Sequence, residues 1–212
     1  MKKILGLSIA AILIIGMVGG GTWAYFSDTE SSTGNTFTAG TLNLDLTGLD
    51  NDGEVTFTFN DLVPGASDNI SWQIDNTGSI PGYVDLEAIS VVNAENYDPD
   101  TNDAEALADS DTSDATGGGE LGADMTIVLF WDDGSGGGTA NNGLQDGSEA
   151  TIYSGDLDSL ASSITEQNYL LGADSTSYIC LNWSISSEVG NEIMGDSATL
   201  DFSVELGQTP GQ

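Results

Sequence analysis

An all-β antiparallel sandwich with long acidic loops, and with at most one or two short helices, is the fold class this sequence predicts. Three observations predict it. Apolar and polar residues alternate with period two in run after run. Clusters of Gly, Pro, Asn and Asp separate these runs at short intervals, as the connections of a sandwich require. One run, Met125–Trp131, is apolar-rich throughout, as expected of a central strand buried on both faces.

In chain order, Lys2 and Lys3 precede an apolar run over residues 4–18, followed by Gly19-Gly20-Gly21, Thr22, Trp23 and Ala24. A charged start, an apolar stretch too short to span a bilayer and a small −3/−1 pair mark residues 1–24 as a secretory signal peptide. The expected cleavage lies between Ala24 and Tyr25, with no stable membrane anchor left afterwards.

Strands follow. Phe37, Ala39, Leu42, Leu44 and Leu46 mark the first, with a bend at Gly40. Val55, Phe57 and Phe59 alternate with polar residues, as do Ile70, Trp72 and Ile74. Val84, Leu86 and Ala88 lead into residues 89–91. After Met125–Trp131 come a short strand at 151–153, then Ile179, Leu181, Trp183 and Ile185, and last Leu200, Phe202, Val204 and Leu206. Turn signals at Asp52-Gly53, Pro64-Gly65, Asn76-Thr77-Gly78, Pro81-Gly82 and Gly195-Asp196 divide them. One short helix is expected over 156–163, capped by Asp156, with Leu157, Leu160 and Ala161 on one face. The domain spans 37–206. Loop insertions near 96–124 and 132–148 interrupt it, and 207–212 form a C-terminal tail.

Charge narrows the function classes. Of 212 residues, 34 are Asp or Glu, none is His, and the two basic ones are Lys2 and Lys3. The first acidic residue is Asp28, so cleavage leaves every acid and no basic side chain. Nucleic acid is excluded as a partner, because phosphate neutralisation needs Lys or Arg. Anionic lipid headgroups are excluded for the same reason. Catalysis by His, Lys or Arg and a His-ligated zinc are also absent. The single Cys180 leaves no internal disulfide; it is either a small buried hydrophobe or an intermolecular bridge.

The segment from Gly19-Gly20-Gly21 through Thr22-Trp23-Ala24-Tyr25-Phe26-Ser27-Asp28 resembles the signal-peptide junction of the TasA/camelysin family, cleaved by a SipW-type signal peptidase. Thr36-Phe37-Thr38-Ala39-Gly40-Thr41-Leu42-Asn43-Leu44 resembles that family's first core strand. Asn60-Asp61-Leu62-Val63-Pro64-Gly65 and Trp72-Gln73-Ile74-Asp75-Asn76-Thr77-Gly78-Ser79-Ile80 are similar to its next block, and residues 197–205 to its closing strand. The resemblance implies a jelly-roll domain. For fibre-forming members it implies a homopolymer, a biofilm-matrix fibre or bundling pilus, in which the N-terminal strand of one subunit joins the sheet of the next. Residues 25–36 are then the donor segment. Tyr25 and Phe26 lead it, Ser27 and Asp28 follow, and an open sheet edge offers such a strand main-chain hydrogen bonds and pockets.

Each candidate site also has a plainer role. The resemblance to camelysin implies a metallopeptidase, but no His-Glu-x-x-His is present and no Ser has a His or Lys base. No enzyme activity and no required cofactor are expected. Asp98, Asp100, Asn102 and Asp109 place oxygen ligands at EF-hand-like spacing, which suits calcium. Against that, position six is Asp103 rather than Gly, so a solvated acidic loop is the plainer reading. Asp132 and Asp133 with Asn141, Asn142 and Asp146 form a weaker oxygen set, and Asp50-Asn51-Asp52-Gly53 reads as a hairpin turn. Asn69 and Asn182 stand in N-glycosylation sequons. Trp72, Trp131 and Trp183 either line a glycan site or pack in the core. The expected protein is secreted and structural; a monomeric calcium- or glycan-binding jelly roll is the alternative.

Overall fold

The computed structural model describes residues 40–42, 44–47, 54–95 and 118–211. Nine strands lie within them: β1 (Leu44–Thr47), β2 (Glu54–Phe59), β3 (Ser67–Asn76), β4 (Gly82–Ala94), β5 (Met125–Trp131), β6 (Thr151–Asp156), β7 (Tyr169–Leu171), β8 (Ser175–Ile185) and β9 (Ser197–Gly207). Two four-residue helices, α1 (Leu121–Asp124) and α2 (Leu160–Ser163), complete the elements used below. The sheets have the orders β1-β3-β8-β5-β6 and β2-β9-β4-β7, and every pairing is antiparallel. With β1 set aside, each connection crosses between sheets except the β5–β6 hairpin. That is the order of an eight-stranded jelly roll.

Period-two patterning explains the core. On β9, Ala198, Leu200, Phe202 and Val204 are buried while the residues between them are half-exposed. On β3, Trp72 and Ile74 face the same interior, and Trp72 meets Phe202 edge-to-face at 5.2 Å across the two sheets. β5 is only partly the doubly buried strand expected. Ile127, Leu129 and Trp131 point inward, but Thr126 on the other face is exposed. Phe130 on that outer face is fully buried beside Cys180, on the face where residues 132–149 fold back to reach Ser71.

Other elements depart from expectation. The 156–163 helix is split into a 3-10 turn, Leu157–Ser159, and α2. Asp156 makes no side-chain cap, and Ala161 is exposed while Leu157 and Leu160 are buried. Ala88 does not continue the inward face of β4. The β4–β9 register shifts between Glu87 and Ser90, and Ala88 sits in that bulge, exposed, with φ of 51°. α1 and β7 had no clear sequence signal, and β9 runs one residue into the expected tail. No helix among the described residues is long and apolar enough to cross a membrane.

Candidate functional site

β1 pairs with β3 only over residues 73–76. Residues 67–72 of β3 pair with β8 on one side and, among the described residues, with no strand on the other. β2 is likewise the outer strand of the second sheet, hydrogen-bonded among the described residues only to β9. Between these two edges lies a cleft of about 220 Å³, lined by Phe57, Phe59, Leu62, Ile70 and Trp183 with Asp68 at its rim. Phe59 packs edge-to-face on Phe57 at 4.9 Å and on Trp183 at 5.9 Å. Trp183 is therefore half-buried at a mouth of the sandwich, whereas Trp72 and Trp131 are core residues.

The segment 132–149 forms a cap on the outer face of the first sheet. With no cationic side chain among the described residues, its carboxylates accept mainly from backbone N–H groups. Asp132 Oδ2 accepts from Gly143 N at 2.8 Å. Glu149 accepts from Gly134 N at 2.8 Å and from Asp146 N at 3.0 Å. Asp146 accepts from Thr139 N at 3.0 Å, and Asp133 from Ser135 N at 2.9 Å and from the Tyr169 hydroxyl at 2.9 Å. The oxygen set Asp132, Asp133, Asn141, Asn142 and Asp146 is thus spread among local hydrogen bonds. Beneath the cap, burial and then the negative charges of Asp132 and Glu149 push the Cys180 thiol up to about 12. Burial raises the Tyr169 hydroxyl to about 12 as well.

A second acidic group was not foreseen. Glu95, just beyond β4, Glu120, just before α1, and Asp196, before β9, each offer a carboxylate oxygen, all within 4.8 Å of one another. Glu95 and Asp196 are each 1% exposed. Asp196 Oδ2 accepts from the backbone N–H of Glu120 at 2.7 Å and of Leu121 at 3.1 Å, which ties the start of α1 to the turn before β9. Nearby, burial and the charges of Glu192 and Asp156 raise the Asp124 carboxyl. An all-oxygen set of this kind suits a hard cation such as calcium. The three positions are distant in sequence, and no spacing motif links them; the one clue is that Glu95 immediately precedes the acidic insertion and Glu120 lies near its end.

Several expected site residues lie outside the described residues: Ala24 and Tyr25 of the cleavage site, Phe26, Ser27 and Asp28 of the donor segment, the calcium candidates Asp98, Asp100, Asn102 and Asp109, and the turn at residues 50–53. The sequon residues Asn69 and Asn182 are direct cross-strand neighbours on β3 and β8. Asn69 is exposed, whereas Asn182 is half-buried and accepts from the Cys180 thiol at 3.4 Å.

A family model described as camelysin metallo-endopeptidase matches residues 1–212. The chain is also similar to the major biofilm matrix component of Bacillus subtilis (strain 168), at 42% identity over 81 residues. That stretch is 38% of this chain and 29% of the relative.

Proposed function

The chain belongs to the TasA/camelysin family, and from that premise we propose that it is an extracellular, non-enzymatic subunit of a biofilm matrix that polymerises by strand donation. The observation that carries this reading is the half of β3, residues 67–72, that lacks a second strand partner among the described residues beside an aromatic cleft. Residues 25–36 of a second copy are the proposed occupant. An incoming strand gains main-chain hydrogen bonds along β3, and Tyr25 or Phe26 enters the cleft. Burying one such aromatic ring contributes about 2 to 3 kcal/mol. The relative's name, a biofilm matrix component, supports the structural role and the extracellular location.

The family description also names a metallopeptidase. A catalytic zinc is held by nitrogen-rich or sulfur-containing sets with an open position. This chain has no His, its one Cys is buried under the cap, and the Glu95–Glu120–Asp196 group is all carboxylate. These residues do not fit such a centre. Calcium binding is the second reading, favoured by the convergence of that group at the base of the acidic insertion that holds Asp98, Asp100, Asn102 and Asp109.

Negative-stain microscopy of secreted protein tests the first reading: filaments are expected from the intact mature chain and none after deletion of residues 25–36. Filaments from the deleted chain would refute donation by this segment. For calcium, melting in millimolar CaCl2 against equal ionic strength of NaCl should show a stabilisation that Glu95→Gln abolishes.

A further inference from the structure

We infer that the 132–149 cap positions the receiving edge of β3, with Asn141 as its positioning residue; this rests on the strand-donation reading above. Residues 67–72 of β3 are held on one side by β8 and on their inner face by Ile70 and Trp72, which pack with the core. Their outer face is held by the cap. Asn141 Oδ1 accepts a hydrogen bond from Ser71 Oγ at 3.0 Å. Gly143 lies so close to Asn69 that a Cβ at position 143 would stand 2.9 Å from Asn69 Oδ1.

The turn that makes both contacts is itself fixed from below. Asn141 and Gly143 both adopt left-handed backbone, with φ of 56° and 72°. Fully buried Asp132 secures both: its carbonyl accepts from Asn141 N at 3.2 Å and its Oδ2 from Gly143 N at 2.8 Å. Asn tolerates this conformation better than other side chains, and its carboxamide reaches β3 from it. A strand that must receive another needs its free N–H and C=O groups held in line before the partner arrives, because ordering them on binding costs affinity. The Asp132–Asn141–Ser71 chain supplies that order near the middle of residues 67–72, which have no second strand partner among the described residues.

The test uses secreted protein deleted for residues 25–36, which has no donor segment to fill a neighbour's edge, and a labelled synthetic peptide of residues 25–36, by fluorescence anisotropy in 1 M NaCl to screen the like charges. Asn141→Gly keeps the left-handed turn and removes the acceptor; Ser71→Ala removes the donor and leaves the cap untouched. Each is expected to weaken peptide binding about three- to tenfold, the scale of one hydrogen bond. The double variant is expected to be no weaker than either single one, with the monomer melting temperature nearly unchanged. Unchanged peptide affinity in both variants overturns the positioning role and leaves strand donation standing. A folded deleted chain with Ser71 and Asn141 intact that does not bind the peptide overturns strand donation itself, and the inference with it.

Discussion

Trp131 of β5 stacks on Tyr169 of β7 with ring centroids 3.8 Å apart and planes 12° from parallel, joining the five-stranded sheet to the four-stranded one. The Tyr169 hydroxyl then accepts from Ser177 Oγ at 2.9 Å and donates to Asp133 in the cap. Tyr169→Phe keeps the stack and leaves both polar partners without it. We expect a loss of about 1 to 3 kcal/mol by urea denaturation. Tyr169→Leu removes the stack as well and should cost more by about 1 kcal/mol. Equal stability of the Phe variant and wild type would show that the hydroxyl bridges nothing in solution.

Alkaline pH should destabilise the protein through the same region. Cys180 and Tyr169 are uncharged when protonated, and both are held at about 12, above their ordinary values of 9.0 and 10.0. Their contribution is whole below pH 9, declines once an unfolded thiol ionises, and is gone as pH rises through about 12. Melting temperature should therefore hold from pH 7 to 9 and fall above it. The Cys180→Ala, Tyr169→Phe double variant should fall less steeply; a parallel decline would place the alkaline lability elsewhere.

Ala88 is strained where glycine is at ease. Its φ of 51° in the β4 bulge costs an alanine about 1 to 2 kcal/mol relative to right-handed backbone. Ala88→Gly removes that cost but adds about 0.5 to 1 kcal/mol of unfolded-chain entropy. The balance predicts a gain near 0.5 kcal/mol, or about 1 to 2 °C in melting temperature. A lower melting temperature would mean that Ala88 does not keep this conformation in solution.

The strands that alternate cleanly were legible because burial on one face imposes the pattern on β2, β3 and β9. β5 was legible as a strand, but its outer face was not, because Phe130 is covered by a segment whose composition reads as a solvated loop. That segment is rich in Asp, Asn and Gly for a structural reason: its carboxylates cap backbone N–H groups, and five of its six glycines occupy left-handed positions. Composition alone does not separate these two uses of the same residues. The Glu95–Glu120–Asp196 group was illegible because each member lies near the end of a different element, and only the jelly-roll crossings bring those ends together. That half of β3 has no second strand partner among the described residues was illegible for a related reason: edge positions follow from strand order, not from strand pattern.

Assembly should depend strongly on cations. Once residues 1–24 are removed, the expected mature chain carries 34 acidic side chains and no basic one. Stacking such subunits brings like charges together along the whole fibre, with nothing on the neighbour to offset them. The attraction proposed for strand donation is hydrophobic burial of Tyr25 and Phe26 plus main-chain hydrogen bonds along residues 67–72, and neither is strongly salt-dependent. Screening therefore decides the balance. The Debye length falls from about 30 Å at 0.01 M salt to about 3 Å at 1 M, which removes most repulsion between exposed charges. Calcium should act at lower concentration than sodium, because paired carboxylates such as Glu95, Glu120 and Asp196 bind a divalent ion more readily than a monovalent one. Light scattering of freshly desalted mature protein near pH 7, titrated with NaCl or CaCl2, should show a lag that shortens steeply with salt and sooner with calcium. Glu95→Gln should remove the calcium advantage and leave the sodium response intact. Equally fast growth in 10 mM and 1 M NaCl would show that charge repulsion does not govern assembly.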